Sequence, residues 1–319
     1  MIRLIYFISF VFISGNLVAQ STIEDDFINL LKDSINTDFQ KSSLSLGAGA
    51  GNGVFSKKNN SLNANQEVLN KIFYNITADY YNKSGLGLTL NSSFVPENGS
   101  MNFYQASLTP SYYYSRKYIY AGVSYTHFFT SKNSTVAVNP FINEISGSFK
   151  WLKSLIRPGV QLVYSNGKNK EVFDTSYTST IPSPPHIVHV INNIISKIND
   201  FTLSFSGDHK FNFEGLFSKN DEFTFIPALT LNAAVTKSST TNFTNISSQR
   251  KKRTASTKRS LTGSNQQSFA IESIALSTDF YYSLGKFFVE PLVYADYYLP
   301  ATHAKRLATI FSLTAGINF

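Results

Sequence analysis

The chain has 319 residues, including 28 Phe and 18 Tyr, yet only 15% of its residues are charged, and its formal net charge is +8. A soluble domain carries about a quarter charged residues, so much of this surface is expected to face something other than water. A hydrophobic content of 42% and a mean hydropathy of −0.10 are too polar for a bundle of membrane helices. The absence of cysteine excludes a lipid-modified N-terminus, disulfides and thiol catalysis.

The N-terminus has the organisation of a secretory signal peptide. Arg3 supplies a positive charge, residues 4–13 are almost all apolar, and Leu17-Val18-Ala19 fits a cleavage site. The apolar run is shorter than the ~20 residues that a spanning helix needs, so residues 1–19 are predicted to be a signal peptide. Residues 20–40 are predicted to form a helix that plugs a lumen, lies at a periplasmic mouth or stays disordered.

From residue 41 onward, apolar and polar residues alternate with a period of two. The last segment shows this best, because one face is smaller and more polar than the other, which carries Leu307, Thr309, Phe311, Leu313, Ala315, Ile317 and Phe319. Such alternation is typical of strands with one buried face. It predicts twelve strands over residues 42–55, 70–82, 85–95, 102–114, 117–129, 139–152, 158–167, 200–216, 222–236, 267–282, 286–299 and 307–319.

The connections between these strands alternate in length. Short turns fall at residues 83–84, 115–116, 155–157, 219–221 and 284–285, and longer polar loops at 56–69, 96–101, 130–138, 168–199, 237–266 and 300–306. Membrane barrels have short periplasmic turns, long outer loops and an even number of strands. The sequence therefore predicts a transmembrane antiparallel up-and-down β-barrel over residues 41–319. Pro110, Pro227, Pro291 and His209 predict local irregularities, which leave ten to fourteen strands open.

Aromatic residues concentrate at the short-turn ends of the predicted strands: Tyr80, Tyr81, Tyr112, Tyr113, Tyr114, Trp151, Phe280, Tyr281, Tyr282 and Phe287. Amphipathic aromatic side chains gather where acyl chains meet headgroups. These ten are therefore predicted to form a girdle at one rim of the barrel.

The final strand alternates outward apolar residues and ends on a C-terminal Phe. In this it resembles bacterial outer-membrane β-barrel proteins, whose terminal strand is recognised by the barrel-assembly machinery. The resemblance implies that Phe311, Leu313, Ile317 and Phe319 act as the assembly signal. It also implies an outer-membrane location among outer-membrane lipids and lipopolysaccharide.

Continuing the alternation places seven acids and two bases on the interior face: Asp79, Glu144, Lys150, Asp208, Lys210, Glu214, Asp279, Glu290 and Asp296. If water fills the barrel, these lumen-lining residues would favour cations over anions. The alternative is a packed interior in which the charged groups pair with one another.

The loop 237–266 carries a basic tract formed by Arg250, Lys251, Lys252, Arg253, Lys258 and Arg259. It is interpreted as an extracellular basic loop that is either solvated and flexible or binds lipopolysaccharide or an acidic glycan. Nucleic-acid binding is not predicted, because no aromatic residues are interleaved with these charges. An unknown protein partner at the outer loops is a further hypothesis.

The loop 168–199 contains Ile187, Val190, Ile191, Ile194 and further apolar residues at helical spacing. This predicts a short amphipathic helix at the barrel mouth, with an extended extracellular hairpin as the alternative. His186 and His189 do not predict a metal site, because no Cys or nearby carboxylate completes the three or four ligands needed. No cofactor is predicted.

Catalysis is also not predicted. The outer-membrane phospholipase family uses a His-x-Ser-Asn-Gly motif, and this chain has Ser165-Asn166-Gly167 with Val163 in the place of the histidine. Without a base at that spacing, Ser165 is an unactivated hydroxyl, and His127 could approach it only through folding. The sequence therefore predicts a passive pore or small-solute translocator with an acidic interior. The alternatives are a non-conducting structural or interaction barrel and, less favoured, a lipid-acting hydrolase.

Overall fold

The computed structural model describes residues 42–52, 72–97, 99–131, 141–179, 186–250, 253–266, 268–299 and 306–319. The predictions of a signal peptide and of a helix over residues 20–40 lie outside these ranges. No helix in the described part of the chain is long and apolar enough to span a membrane. The described residues form one antiparallel sheet that closes on itself.

The strands follow one another along the chain as β1 (Ser43–Gly51), β2 (Phe73–Tyr81), β3 (Leu86–Glu97), β4 (Ser100–Arg116), β5 (Ile119–Thr130), β6 (Phe141–Trp151), β7 (Arg157–Ser179), β8 (His186–Asp208), β9 (Phe211–Glu214), β10 (Asp221–Arg250), β11 (Arg253–Gln266), β12 (Ala270–Leu284), β13 (Phe287–Tyr298) and β14 (Leu307–Asn318). The wall of the barrel contains twelve of them. β9 prolongs β8 and β11 precedes β12, and both pair with β10.

Two pairings close the barrel. β1 pairs with β14 from Ser45 opposite Asn318 to Gly51 opposite Ser312, and β8 pairs with β10. The last residue belongs to this seam, because the N–H of Phe319 donates to the carbonyl of Leu44. A closed sheet has no unpaired edge, so its backbone polar groups are satisfied without water. The predicted twelve-stranded, antiparallel fold class is confirmed.

The two faces of the wall differ in chemistry as the alternation predicts. In β1, Leu44 and Leu46 are exposed on the outside, whereas Ser45 between them is buried on the inside. In β14, Leu313 is exposed and Thr314 is buried. The outside is therefore apolar and exposed over most of the wall, while the inside carries many small polar side chains, as lipid outside and a polar lumen require.

The short turns, the start of β1 and the end of β14 lie at the same end of the barrel, which we call the short-turn end. Gly85 and Gly285 adopt positive φ angles of 90° and 62° in two of these turns, a conformation that glycine adopts without strain. The predicted loop at residues 96–101 is wrong, because Glu97 pairs directly with Ser100. A tight turn with Gly99 at φ 79° joins β3 to β4 there.

The predicted irregularities are confirmed. The β4–β5 ladder pairs Leu108 with His127 and resumes only at Ser111, past Pro110. The pairing of β8 with β10 begins at Ala228, just past Pro227. His209 lies in a break between β8 and β9. A proline lacks the N–H that a ladder needs, so strands bend or pair on one side only at such points.

Two predicted loops are strands instead. β7 and β8 pair up to Ser179 opposite His186, and β10 and β11 pair up to Arg250 opposite Arg253. β8 also pairs with β10 as far as Val188 opposite Ser248. Residues 167–179, 186–199, 236–250 and 253–266 therefore form a four-stranded extension of the wall, which we call the raised sheet.

The predicted amphipathic helix over residues 187–198 is wrong, and the alternative of an extended hairpin is confirmed. This segment is rich in β-branched isoleucine and valine, which favour strands. As part of β8 it finds backbone partners on both sides, in β7 and in β10. A short helix at the barrel mouth would leave β7 and β10 without this central partner.

The aromatic girdle at the short-turn end is only partly as predicted. Tyr80, Tyr112 and Tyr114 are exposed on the outside, as are Trp151 and Phe287. Tyr81, Tyr113 and Tyr281 are instead buried inside the barrel. Consecutive residues of a strand point to opposite faces, so a run of adjacent tyrosines supplies both surfaces.

The barrel interior as candidate functional site

The predicted interior acids fall into two groups. Six are buried: Asp79, Glu144, Asp208, Asp279, Glu290 and Asp296. Glu214 is exposed, because β9 pairs with β10 and extends beyond the start of β7. Of the two bases, Lys150 is half-buried in β6, and Lys210 is half-buried in the break between β8 and β9.

Two buried charged residues of the inner face were missed by the sequence reasoning. Asp200 is buried in β8. The alternation that puts Ser204 and Thr202 on the inner face also puts Asp200 there, so the sequence pattern could have identified it. Arg157 is buried as the first residue of β7. It was assigned to a turn, and no sequence signal marks it as an interior residue.

Arg157 and Lys150 share one carboxylate at the short-turn end. Nε of Arg157 lies 2.5 Å from Oδ1 of Asp208, and Nζ of Lys150 lies 2.7 Å from Oδ2. The three side chains come from β7, β6 and β8, which are adjacent in the wall. Asp208 is therefore neutralised by its neighbours and contributes little negative potential to the interior.

A second group forms a row across five adjacent strands, further from the short-turn end. Ser165 in β7 stands opposite Glu144 in β6 and Asp200 in β8. The Ser165 hydroxyl donates to Oε2 of Glu144 at 2.7 Å, and the Thr236 hydroxyl donates to Oδ1 of Asp200 at 2.5 Å. Thr126 of β5 is opposite Glu144 and continues the row. Neutral hydroxyls thus help to hold these two carboxylates in place.

A third group, the acidic cluster, lies in a different part of the barrel interior and consists of Asp79, Asp279 and Glu290. Glu290 is only 3% exposed, and the carboxylates of Asp279 and Asp79 are close enough to repel its own. Asp79 accepts a hydrogen bond of 2.7 Å from the Thr89 hydroxyl. Oε2 of Glu290 is buried, and no side chain within the described residues donates to it. Three acidic side chains are therefore concentrated in this part of the interior.

Buried rings cover the interior wall at the short-turn end. Tyr113 stacks on Tyr120 with ring centroids 5.8 Å apart, and Tyr81 meets Tyr113 edge-on at 6.3 Å. Tyr281 stacks on Phe288 at 5.7 Å. We call these five residues the aromatic layer. Their bulk takes space from the lumen at this end.

Glycines make room for this layer. A Cβ at Gly122 would lie 2.4 Å from Cδ1 of Tyr113, and a Cβ at Gly316 would lie 2.5 Å from Cζ of Phe288. Such pairing of a ring with a glycine on the next strand is a recurrent device in β-sheets. The rings therefore lie along the wall instead of pointing straight across the lumen.

The structure separates the two residues that a hydrolase would need. Ser165 is fully buried on the inside and bonded to Glu144. His127 lies in β5 between the buried Thr126 and Phe128, so its side chain is on the outer face. There its Nδ1 is 2.8 Å from Oδ1 of Asn143. The wall of the barrel stands between His127 and Ser165.

The turn before β10 is held by a single carboxylate. Asp221 accepts hydrogen bonds of 2.8 Å from the backbone N–H groups of Leu216, Phe217 and Ser218, and one of 3.2 Å from the Tyr282 hydroxyl. Desolvation alone would raise the pKa of Asp221, but these donors outweigh it, so the pKa lies below its usual value. Donors that favour the charged form act in this direction.

The remaining predicted sites lie at the two ends of the barrel. Arg250 and Arg253 face each other at the tip of the raised sheet, Lys258 and Arg259 lie in β11, and Lys251 and Lys252 lie outside the described residues. Phe311, Leu313 and Phe319 are exposed outside the last strand, and Ile317 is half-buried. Within the described residues, no group of three or more His, Asp or Glu could hold a metal ion.

Comparisons with known proteins give likenesses of fold only. No protein-family model matches the sequence, and no curated protein matches it. A bacterial polysaccharide outer membrane secretin is 9% identical over 88% of this chain and 99% of its own, with a TM-score of 0.34. The outer membrane channel DcaP of Acinetobacter baumannii is 9% identical over 88% and 98%, with a TM-score of 0.24. OprB of Pseudomonas putida is 8% identical over 92% and 97%, with a TM-score of 0.23.

The class and location of the protein follow from its wall. A closed antiparallel sheet with an apolar outside and a polar inside satisfies its backbone within lipid. The chain is an outer-membrane β-barrel, and the resemblance of its last strand to this class is confirmed. We assign the short-turn end to the periplasm and the raised sheet to the exterior, because membrane barrels have short periplasmic turns and longer outer loops.

Proposed function

We propose that this barrel is a passive pore or small-solute translocator whose acidic interior favours cations over anions. The observation that carries the proposal is the charge on the inner face of the wall. Seven carboxylates are buried there, which are Asp79, Glu144, Asp200, Asp208, Asp279, Glu290 and Asp296. The bases on the same face within the described residues are Arg157, Lys150 and Lys210, of which the first two contact Asp208.

The electrostatic argument depends on where these charges lie. The row with Glu144 and Asp200 and the acidic cluster around Glu290 stand on different sides of the interior, because β6 to β8 and β12 to β2 are separate stretches of the wall. A low-dielectric wall focuses the field of such charges into the enclosed space. A cation in the lumen would therefore be stabilised from two sides, and an anion would be repelled from both.

Planar-bilayer recording of the purified protein tests this proposal. We expect single-channel currents, and a reversal potential in a salt gradient that shows preference for K⁺ over Cl⁻. Changing Glu290→Gln together with Asp279→Asn removes two interior carboxyl groups at nearly constant volume, so the preference for K⁺ should decrease.

The control is Glu97→Gln, which removes one carboxylate at the turn between β3 and β4, outside the lumen. It should leave the selectivity near that of the wild type, because solvent screens a charge outside the lumen. A conducting protein whose selectivity is equal in all three forms would refute the role of the acidic cluster. A folded protein that never conducts would refute the pore.

The second candidate is a non-conducting interaction barrel, and the raised sheet favours it. Four strands continue beyond the wall and offer a broad surface to the exterior. The aromatic layer also supports this candidate, since it occupies interior space at the periplasmic end. Absence of current in the bilayer experiment is the outcome that supports this candidate. We propose no enzymatic activity, because His127 and Ser165 are on opposite faces of the wall.

A further inference from the structure

Three exposed lysines stand side by side on the outer face of the wall, where the raised sheet begins. They are Lys168 in β7, Lys197 in β8 and Lys237 in β10. Lys168 is directly opposite Lys197, and Lys237 is opposite Asn199, two residues from Lys197. Because directly opposed residues of an antiparallel pair share a face, all three side chains project outward. We call them the lysine triad.

The length of the apolar run on the outer face of β10 shows where the triad lies relative to the membrane. Outward positions run from Phe223 through Leu229 and Leu231 to Val235, and the next outward position is Lys237. From Phe223 to Val235, twelve residue steps of ~3.3 Å, tilted by ~40°, rise by about 30 Å. Lys237 lies two steps beyond Val235. The apolar band of an outer-membrane barrel is about 25 Å tall. Lys237 therefore lies just beyond the apolar band, at the headgroups of the outer leaflet.

β7 and β8 show the same order of side chains. Tyr164 and Phe201 are exposed and apolar, and the Tyr164 hydroxyl donates to Oδ1 of Asn199 at 3.2 Å. Two residues beyond Asn199 comes Lys197, and four beyond Tyr164 comes Lys168. Along each strand an aromatic ring is followed by an amide and then by a cation. This order is expected where a strand passes from the acyl chains to the headgroups.

The triad is unfavourable without an anion. Like charges directly opposite each other in an antiparallel pair repel, and Lys168 and Lys197 are such a pair. The described outward residues next to the triad include no carboxylate: Asn166, Ile195, Asn199 and Ser239. Three cations on one face without an acid beside them match a ligand that carries more than one negative charge.

We propose that the lysine triad docks the phosphorylated headgroup of an outer-leaflet lipid of the lipopolysaccharide class. The phosphates bind the three ammonium groups, and the acyl chains lie along Tyr164, Phe201 and the apolar outside below them. This assignment is independent of whether the barrel conducts.

The assignment differs from the basic tract singled out in the sequence. Arg250 lies thirteen residues beyond Lys237 on the same strand, about 40 Å of extended chain farther from the apolar band. A lipid whose acyl chains stay in the bilayer reaches the lysine triad but not the tip of the raised sheet. The tip is therefore not part of this lipid site.

Binding of diphosphoryl lipid A to the folded, detergent-solubilised full chain tests the proposal, with native mass spectrometry to count the bound lipids. The variant Lys168→Gln/Lys197→Gln/Lys237→Gln should bind at least tenfold more weakly than the wild type. The control Lys83→Gln/Lys153→Gln/Lys219→Gln makes the same charge change at three exposed positions of the periplasmic end. It should bind as the wild type does.

A second lipid and a replacement variant complete this test. Monophosphoryl lipid A should bind the wild type more weakly than the diphosphoryl form, whereas the triad variant should not distinguish the two. If the triple variant does not fold, the single change Lys197→Gln, at the centre of the triad, replaces it. Equal affinity of the triad variant and the control for diphosphoryl lipid A would overturn the proposal.

A stability measurement gives an independent readout. In a zwitterionic detergent the triad variant should unfold at a higher denaturant concentration than the wild type, because the opposed lysines no longer repel. With diphosphoryl lipid A present the order should reverse, because the lipid binds only the folded wild type. An unchanged order would contradict the docking site.

Discussion

Two glycines on neighbouring strands make a matched pair for testing how tightly the interior is packed. Gly122 in β5 faces the lumen, and a Cβ there would lie 2.4 Å and 2.6 Å from ring carbons of Tyr113. Gly147 in β6 lies on the outer face, opposite the exposed Val123, and has no protein atom within 4 Å of its would-be Cβ. The two residues are opposite Ser148 and Val123, one pair apart in the same ladder. The same added methyl group therefore meets a fixed ring of the interior at Gly122 and the uncrowded outer face of the wall at Gly147.

The expected difference is large enough to measure. Overpacking of a filled site costs about 1–3 kcal/mol, while replacing a strand glycine by alanine gains roughly 0.5–1 kcal/mol in chain entropy. Gly122→Ala should therefore destabilise the barrel by about 1–2 kcal/mol, whereas Gly147→Ala should stabilise it by about 0.5 kcal/mol. The stack of Tyr113 on Tyr120 limits how far the ring can retreat.

Denaturant unfolding in phospholipid vesicles measures both variants. Trp151 is the only tryptophan of the chain and lies exposed at the periplasmic rim, so its fluorescence reports the loss of the barrel. The double variant Gly122→Ala/Tyr113→Leu removes the clash and should be less destabilised than the sum of its two single changes. Equal stability of Gly122→Ala and Gly147→Ala would refute the tight contact between β5 and the aromatic layer.

Three other changes probe the interior and the turns. Arg157→Ala leaves Asp208 with Lys150 as its cation and should cost roughly 2 kcal/mol of unfolding free energy, as loss of a hydrogen bond between charged groups does. Arg157→Lys should lose less. The pKa of Asp221 is lowered in the folded state, so its contribution to stability is present above the unfolded pKa and is lost as the pH falls through the folded pKa. Acid unfolding curves should therefore lose this component in Asp221→Asn, and an unchanged curve would contradict it. Ser165→Ala should leave any trace of acyl-hydrolase activity unchanged; a loss of activity specific to this variant would reopen the hydrolase hypothesis.

The periodicity of the sequence determined the wall of the barrel. Residues such as Leu313 and Thr314 alternate because lipid lies on one side of the wall and a polar lumen on the other. The same rule correctly separated the buried face carrying Asp79 and Glu290 from the outer face. It could not find Arg157, since a residue at the start of a strand has too little alternation around it to indicate a face.

Outside the membrane this rule no longer applies. The segment 237–250 is rich in Ser, Thr and Asn, and in water both of its faces can be polar, so it carries no alternation that predicts a strand. Only its partners in β8 and β11 make it one. The tertiary structure likewise decided which charges meet. Ser165 lies between Glu144 and Asp200 through the register of three strands, and a register between distant segments is set by pairing across the whole wall.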